Sequence, residues 1–165
     1  MTNTLYYGDC LDVLRDLAEA HPQGIADLIY LDPPFNSKRD YAVLFSTPKG
    51  EKSDAQITAF EDTWHWGQQA EAEFADITKQ GNVAVTQLMI ALRSFLGEND
   101  MMAYLTMMAN RLLVMHRVLK DTGSLYLHCD PTASHYLKIV LDGVFGAVNF
   151  RSEIIWKRTS SHGNV

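Results

Sequence analysis

Hydrophobic and polar positions along the chain switch between two periods, and each switch marks an element. In "DCLDVLRDLAEA", Leu11, Leu14 and Leu17 recur at helical spacing, with Asp9 placed as the N-cap and "HPQG" as the break. The preceding "LYYGD" reads as a short strand. Ile25 to Leu31 is apolar but for one acid, a pattern that predicts a strand covered on both faces. From Gln68 to Lys120 the spacing predicts helix, interrupted near Gly81 and at "GEND"; its last part, "DMMAYLTMMANRLLVMHRVLK", carries a strong apolar stripe that stops at "DTG". "GSLYLHCD" predicts a strand, "PTASHYLKIVLDGVFG" a helix that opens on Pro131 and closes on glycine, and "NFRSEIIWKRT" a final strand. Residues from about 33 to 67 are irregular and turn-rich, and a loop this long is usually functional or mobile.

Strand, helix, strand, long helical excursion, strand, helix, strand is the order of an α/β domain with a mainly parallel sheet. Ligands of such sheets lie beyond the carboxyl ends of the strands. Asp9, Asp32 and Asp130 all fall at such ends. The 165 residues amount to about one domain, and 47% hydrophobic residues suit an ordinary globular core. No apolar run approaches the roughly 20 residues that cross a bilayer, and "MTNTLYYGDC" lacks the regions of a signal peptide, so a cytoplasmic protein away from the membrane is expected.

Cys10 and Cys129 make no disulfide framework and no C-x-x-C pair, so both are expected as reduced, buried thiols. A net charge of −6 argues against a generic polyanion binder. If nucleic acid is the substrate, the basic surface must therefore be local or lie elsewhere. The most basic stretch is Arg151, Lys157 and Arg158, opposed nearby only by Glu153; it suits phosphate contact or a solvated strand end.

The chemistry concentrates where the second strand stops, in "LDPPF". One reading is a turn, in which Asp32 starts it, proline fixes φ and Phe35 tucks into the core. The other follows from what two prolines do: they remove two backbone donors and leave rigid, free carbonyls beside a carboxylate. Such an acceptor cluster suits a substrate NH2 group, holding both amino protons and turning the nitrogen lone pair out of the ring plane. Phe35 offers a flat surface on which a base stacks, worth about 1–3 kcal/mol in nucleic-acid binders.

With "YYGDCLDVLRDL" before it and "FEDTWHWG", "GSLYLHCDPTASHYLKIVLDGVFG" and "NFRSEIIWKR" after it, "LDPPF" resembles the amino-methyltransferases of DNA, specifically the N6-adenine enzymes of the permuted group found in restriction and modification systems. The resemblance runs from about Leu5 to Arg158. It implies a Rossmann-like, three-layer fold dependent on S-adenosylmethionine, with residues 1–165 as one partial catalytic domain carrying a helical and loop insertion at about 36–100. It implies that Asp32 accepts one hydrogen bond from the target amine, that the carbonyl of Pro33 accepts the other beside Pro34, and that Phe35 stacks on a flipped adenine. Asp9, with Cys10, would lie near the cofactor; the helix N-cap is the alternative for Asp9, and both roles can coexist. Asn36, Arg151, Trp156, Lys157 and Arg158 would face DNA, with a core tryptophan as the alternative for Trp156. Two other outcomes stay open: an N4-cytosine enzyme, or an inactive fragment that binds DNA or a partner chain.

Other features compete less well. His128, Cys129 and Asp130 invite a metal reading, but consecutive strand residues face opposite ways, so no metal is expected and Asp130 is expected to cap the next helix. Met101, Met102, Met107, Met108 and Met115 suit core filling better than a pliable binding face. "TWHWG" suits a DNA-facing lid or packing on the neighbouring helices. An ATPase would need a P-loop, and "GEKS" has the wrong spacing for one. The G-x-G turn that a methyltransferase uses for its cofactor is absent as well. The family resemblance therefore implies further partners: a missing C-terminal half or a complementing chain, a homodimer or a restriction subunit, and DNA.

Overall fold

A computed structural model describes residues 3–34, 40–43, 57–61 and 64–157, the second and third of these stretches as backbone only. The elements are α1 (Cys10–Ala20), β1 (Ala26–Leu31), β2 (Asp40–Val43), β3 (Ile57–Glu61), α2 (Gln68–Lys79), α3 (Val83–Leu96), α4 (Asp100–Val118), β4 (Leu119–Leu127) and α5 (Pro131–Phe145), followed by a 3-10 turn at Ala147–Asn149. This is an α/β chain with a small parallel sheet.

Helix starts follow side-chain chemistry. Amide donors in a first helical turn lack intrahelical partners, and a short polar side chain ahead of them supplies one. Asp9 accepts from the N–H of Leu11 at 2.8 Å, Asn82 from Val85 at 3.0 Å, Asn99 from Met102 at 3.0 Å and Asp130 from Thr132 at 3.0 Å. Once started, α4 becomes the centre of the molecule. It buries 14 of its 19 residues, four of its five methionines among them, because helices close round it on several sides. Ile77 of α2, Val85 and Met89 of α3, and Leu137 and Val140 of α5 share its core, while Leu11 and Ala18 of α1 pack on Val114 and Val118. The methionines fill this interior, as unbranched side chains adapt to irregular gaps.

β1 and β4 pair in parallel, with Ile29 opposite Leu125, Tyr30 opposite Tyr126 and Leu31 opposite Leu127. Between Ala26 and Leu28 the register jumps from Leu119 to Ser124, so "KDTG" bulges out of β4 instead of preceding the strand. The entry to the sheet needs glycine: Gly24 has φ +75°, and a Cβ there would lie 2.7 Å from the carbonyl oxygen of Leu119. Alternation then sorts the side chains. Ile29, Leu31, Leu125 and Leu127 turn to the helical core, while Leu28, Tyr30 and Tyr126 stay exposed on the other face, the two tyrosine rings stacked 6.4 Å apart.

Four expectations need correction. The strand expected to be covered on both faces is covered on one only among the described residues, since Leu28 and Tyr30 are exposed. "LYYGD" is not a strand, and neither is "NFRSEIIWKRT" over its described residues. A strand exists by its ladder, and neither segment finds a pairing partner among the described residues; Leu5, Tyr7, Ile154 and Ile155 are exposed. Nor is the region from 33 to 67 wholly irregular, since β2 and β3 pair antiparallel, with Asp40 opposite Glu61 and Val43 opposite Ile57.

Candidate active site at the strand ends

The sheet register builds the site. His128 N–H donates to the carbonyl oxygen of Leu31 at 2.8 Å, extending the ladder one step past the last paired residues. Asp32 and His128 therefore leave neighbouring strands side by side. Their side chains meet, His128 Nδ1 lying 3.0 Å from Asp32 Oδ1, and both remain more than half exposed. Pro33 and Pro34 follow, half-buried. The result is a carboxylate and a proline-stiffened backbone at the carboxyl ends of two parallel strands, open to solvent.

Cys129, the residue after His128, turns the other way and packs against the core. Burial pushes its thiol above the ordinary range, with the negative charges of Asp130 and Glu153 adding to the effect. The thiol stays neutral, and His128 and Cys129 serve different surroundings. Asp130 caps α5 through Thr132 and Ala133. No cluster of three metal-ligating side chains occurs among the described residues.

Asp9 belongs to a different assembly. Besides capping α1, its carboxylate takes Arg111 Nη2 at 3.0 and 2.9 Å, and Arg111 Nη1 reaches Glu73 at 3.3 Å. Burial lowers the Arg111 pKa, but the charges of Glu73 and Asp9 outweigh it and leave the guanidinium above its usual value. One cation thus ties α1, α2 and α4 together. Cys10 is exposed, which corrects the expectation of a buried thiol: it is the first residue of α1, and its side chain lies beside Arg111 of α4 at the surface.

Arg151, Trp156 and Lys157 are exposed, Trp156 at 85%, so the core alternative for the tryptophan is overturned along with the strand that would have buried it. Phe35, Asn36 and Arg158 lie outside the described residues. The "TWHWG" aromatics pack on helices: Trp64 meets Tyr104 at 5.4 Å, and Trp66 meets Phe74 at 6.2 Å under the guanidinium of Arg93. Two surface clefts lie elsewhere. One of about 380 Å3 includes Pro22, Gly24, His116, Leu119 and Asp121, at the opposite end of the sheet; the other, of about 240 Å3, runs between α1, α2 and α4. The strand ends thus present the Asp32 carboxylate and the backbone of Pro33 and Pro34 on an open surface.

Arg111 escaped the sequence reading, and His128 was weighed there only as a metal ligand. Arg111 sits in a helical stripe and carries no local sign of its partners. His128 did leave a sign: "IYLD" and "LYLH" end the two strands alike, and matching Tyr30 with Tyr126 places Asp32 beside His128.

Comparison with known proteins gives a consistent result. A family model described as DNA methylase matches residues 26–165. The Mod subunit of the type III restriction-modification enzyme StyLTI from Salmonella typhimurium is 29% identical over 163 residues, 98% of this chain and 21% of that protein. The Mod subunit of EcoP15I from Escherichia coli is 23% identical, over 96% of this chain and 21% of its own length. The type II methyltransferase M.KpnI from Klebsiella pneumoniae is 25% identical, over 97% and 28%. The chain therefore spans between a fifth and somewhat over a quarter of these relatives.

Proposed function

Because the chain belongs to the DNA methylase family, we propose that it carries the base-activating part of a methyltransferase acting on the N6 amine of adenine in DNA, within a cytoplasmic modification or restriction-modification system. The observation that carries this reading is the Asp32-Pro33-Pro34 acceptor cluster at the paired ends of β1 and β4. Asp32 accepts one amino proton and the carbonyl of Pro33 the other. Held this way, the amine is drawn out of conjugation with its ring, and the lone pair is aimed. Fixed geometry of this kind is worth several kcal/mol of barrier. Phe35 stacks on the extruded base, and Asn36, Arg151, Trp156, Lys157 and Arg158 face the DNA, which must flip the adenine to present it.

S-adenosylmethionine, when bound, supplies a methyl group activated by its sulfonium. The described residues do not form a cradle for it by themselves. Asp9 is engaged by the α1 cap and Arg111, Cys10 stands exposed beside it, and neither of the two clefts includes these two residues or the strand ends. We read residues 1–165 as one methyltransferase domain with an insertion at about 36–100, whose Rossmann-like, three-layer form is completed by a C-terminal half or a complementing chain. Parallel sheets are almost always covered on both faces, and here Leu28, Tyr30 and Tyr126 are exposed, with no described helix packed on their face. A homodimer or a restriction subunit would complete the assembly on DNA.

The test is methyl transfer from labelled S-adenosylmethionine to unmethylated DNA by the complete protein, with the methylated nucleoside identified chromatographically. Asp32→Ala is expected to abolish N6-methyladenine formation, a loss of about a thousandfold or more. Full methylation by Asp32→Ala overturns the assignment, and N4-methylcytosine as the product overturns the substrate.

A further inference from the structure

We infer that His128 is the positioning residue for Asp32, holding one carboxylate oxygen so that the other is presented to the substrate amine. The inference rests on the role proposed above for Asp32. Its own basis is geometric. The ladder bond from His128 N–H to Leu31 fixes both backbones, and the ring nitrogen meets Oδ1 at 3.0 Å. A carboxylate in its working, ionised form only accepts, so the proton of this bond resides on Nδ1, and the Nε2 edge of the ring points away from Asp32.

Stability does not account for the pair. The side chains are 56% and 65% exposed, and exposed ion pairs contribute about 0–1 kcal/mol. Orientation does account for it. An exposed carboxylate that turns freely about its side-chain bonds spends much of its time misaligned with an amine that must also meet the rigid Pro33 carbonyl. A donor fixed on the neighbouring strand removes that freedom and leaves Oδ2 for substrate. The adjoining Tyr30 and Tyr126 rings lie on the same sheet face, one step back along each strand. Both rings are exposed, as are Asp32 and His128.

The experiment compares His128→Ala, His128→Asn and Asp32→Ala in the complete protein, measuring kcat, KM for DNA and thermal melting. Asparagine can carry its amide N–H to about the place of Nδ1. His128→Ala is expected to lower kcat about 10- to 100-fold, as a small misplacement of a reacting group does, with KM and melting nearly unchanged. His128→Asn is expected to recover most of that loss. If Asp32→Ala is inactive while His128→Ala matches wild type, or His128→Asn recovers nothing, the positioning role is overturned and the reading of Asp32 survives. If Asp32→Ala is itself active, that reading falls and takes the role of His128 with it.

Discussion

The two sides of β1 and β4 are built to different standards. Behind the sheet, α4 has 14 of 19 residues buried and is closed in by helices. In the sheet itself not one residue of β1 or β4 is fully buried, and the outer face presents Leu28, Tyr30 and Tyr126 to solvent. In parallel sheets the strands are ordinarily the most enclosed elements. The inversion separates two tasks: the helices supply the stability of the described residues, and the strands carry the site proposed above.

The sharpest way to break that contrast is to cut the helical side. Leu112 is wholly buried in the main core. Leu112→Ala removes its contacts and leaves a cavity that packed neighbours cannot fully close, so a loss of about 2–5 kcal/mol is expected in denaturant unfolding. A change under 1 kcal/mol would mean that the core is not the source of stability.

A smaller effect is expected at the link between the helices. Arg111 is nearly enclosed and joins Asp9 at the head of α1 to Glu73 on α2. Arg111→Met keeps the aliphatic stem but leaves the poorly exposed Glu73 carboxylate without its cation. A cost of about 1–3 kcal/mol follows from desolvation of the unpaired charge. The double variant with Glu73→Gln should recover part of it, because the charge left behind is removed too; equal melting of the single and double variants would show the link to be idle.

How much of this was legible beforehand depended on how local the cause is. The caps at Asp9 and Asp130, the breaks at Gly81 and "GEND", and the buried methionine stripe follow from neighbours within a few positions, and the helices lie where their spacing put them. The strands at "LYYGD" and "NFRSEIIWKRT" could not be judged that way. Their composition permits extension, but extension becomes a strand only when another strand offers its donors and acceptors. At the site the same rule holds. Asp32 and the prolines stood out as a rigid acceptor cluster from their own chemistry, whereas the partnership with His128 depends on the parallel register of segments about 96 residues apart.

The smallest effect is expected on the outer face, and it discriminates most finely. Tyr30 is 66% exposed and touches Tyr126 by ring stacking. In this 165-residue chain Tyr30→Ser removes little buried surface, so the melting midpoint should move by the equivalent of about 0.5 kcal/mol or less. If further methylase polypeptide covers that face, as proposed, the ring is enclosed in the complete protein, where a Tyr truncation should cost about 2 kcal/mol or more. The contrast between the two measurements is the informative quantity. Equal, small effects in both would leave the face open in the complete protein and remove the bare sheet as a support for the three-layer reading. A large effect in the short chain alone would place tyrosine stacking among the forces that hold β1 to β4.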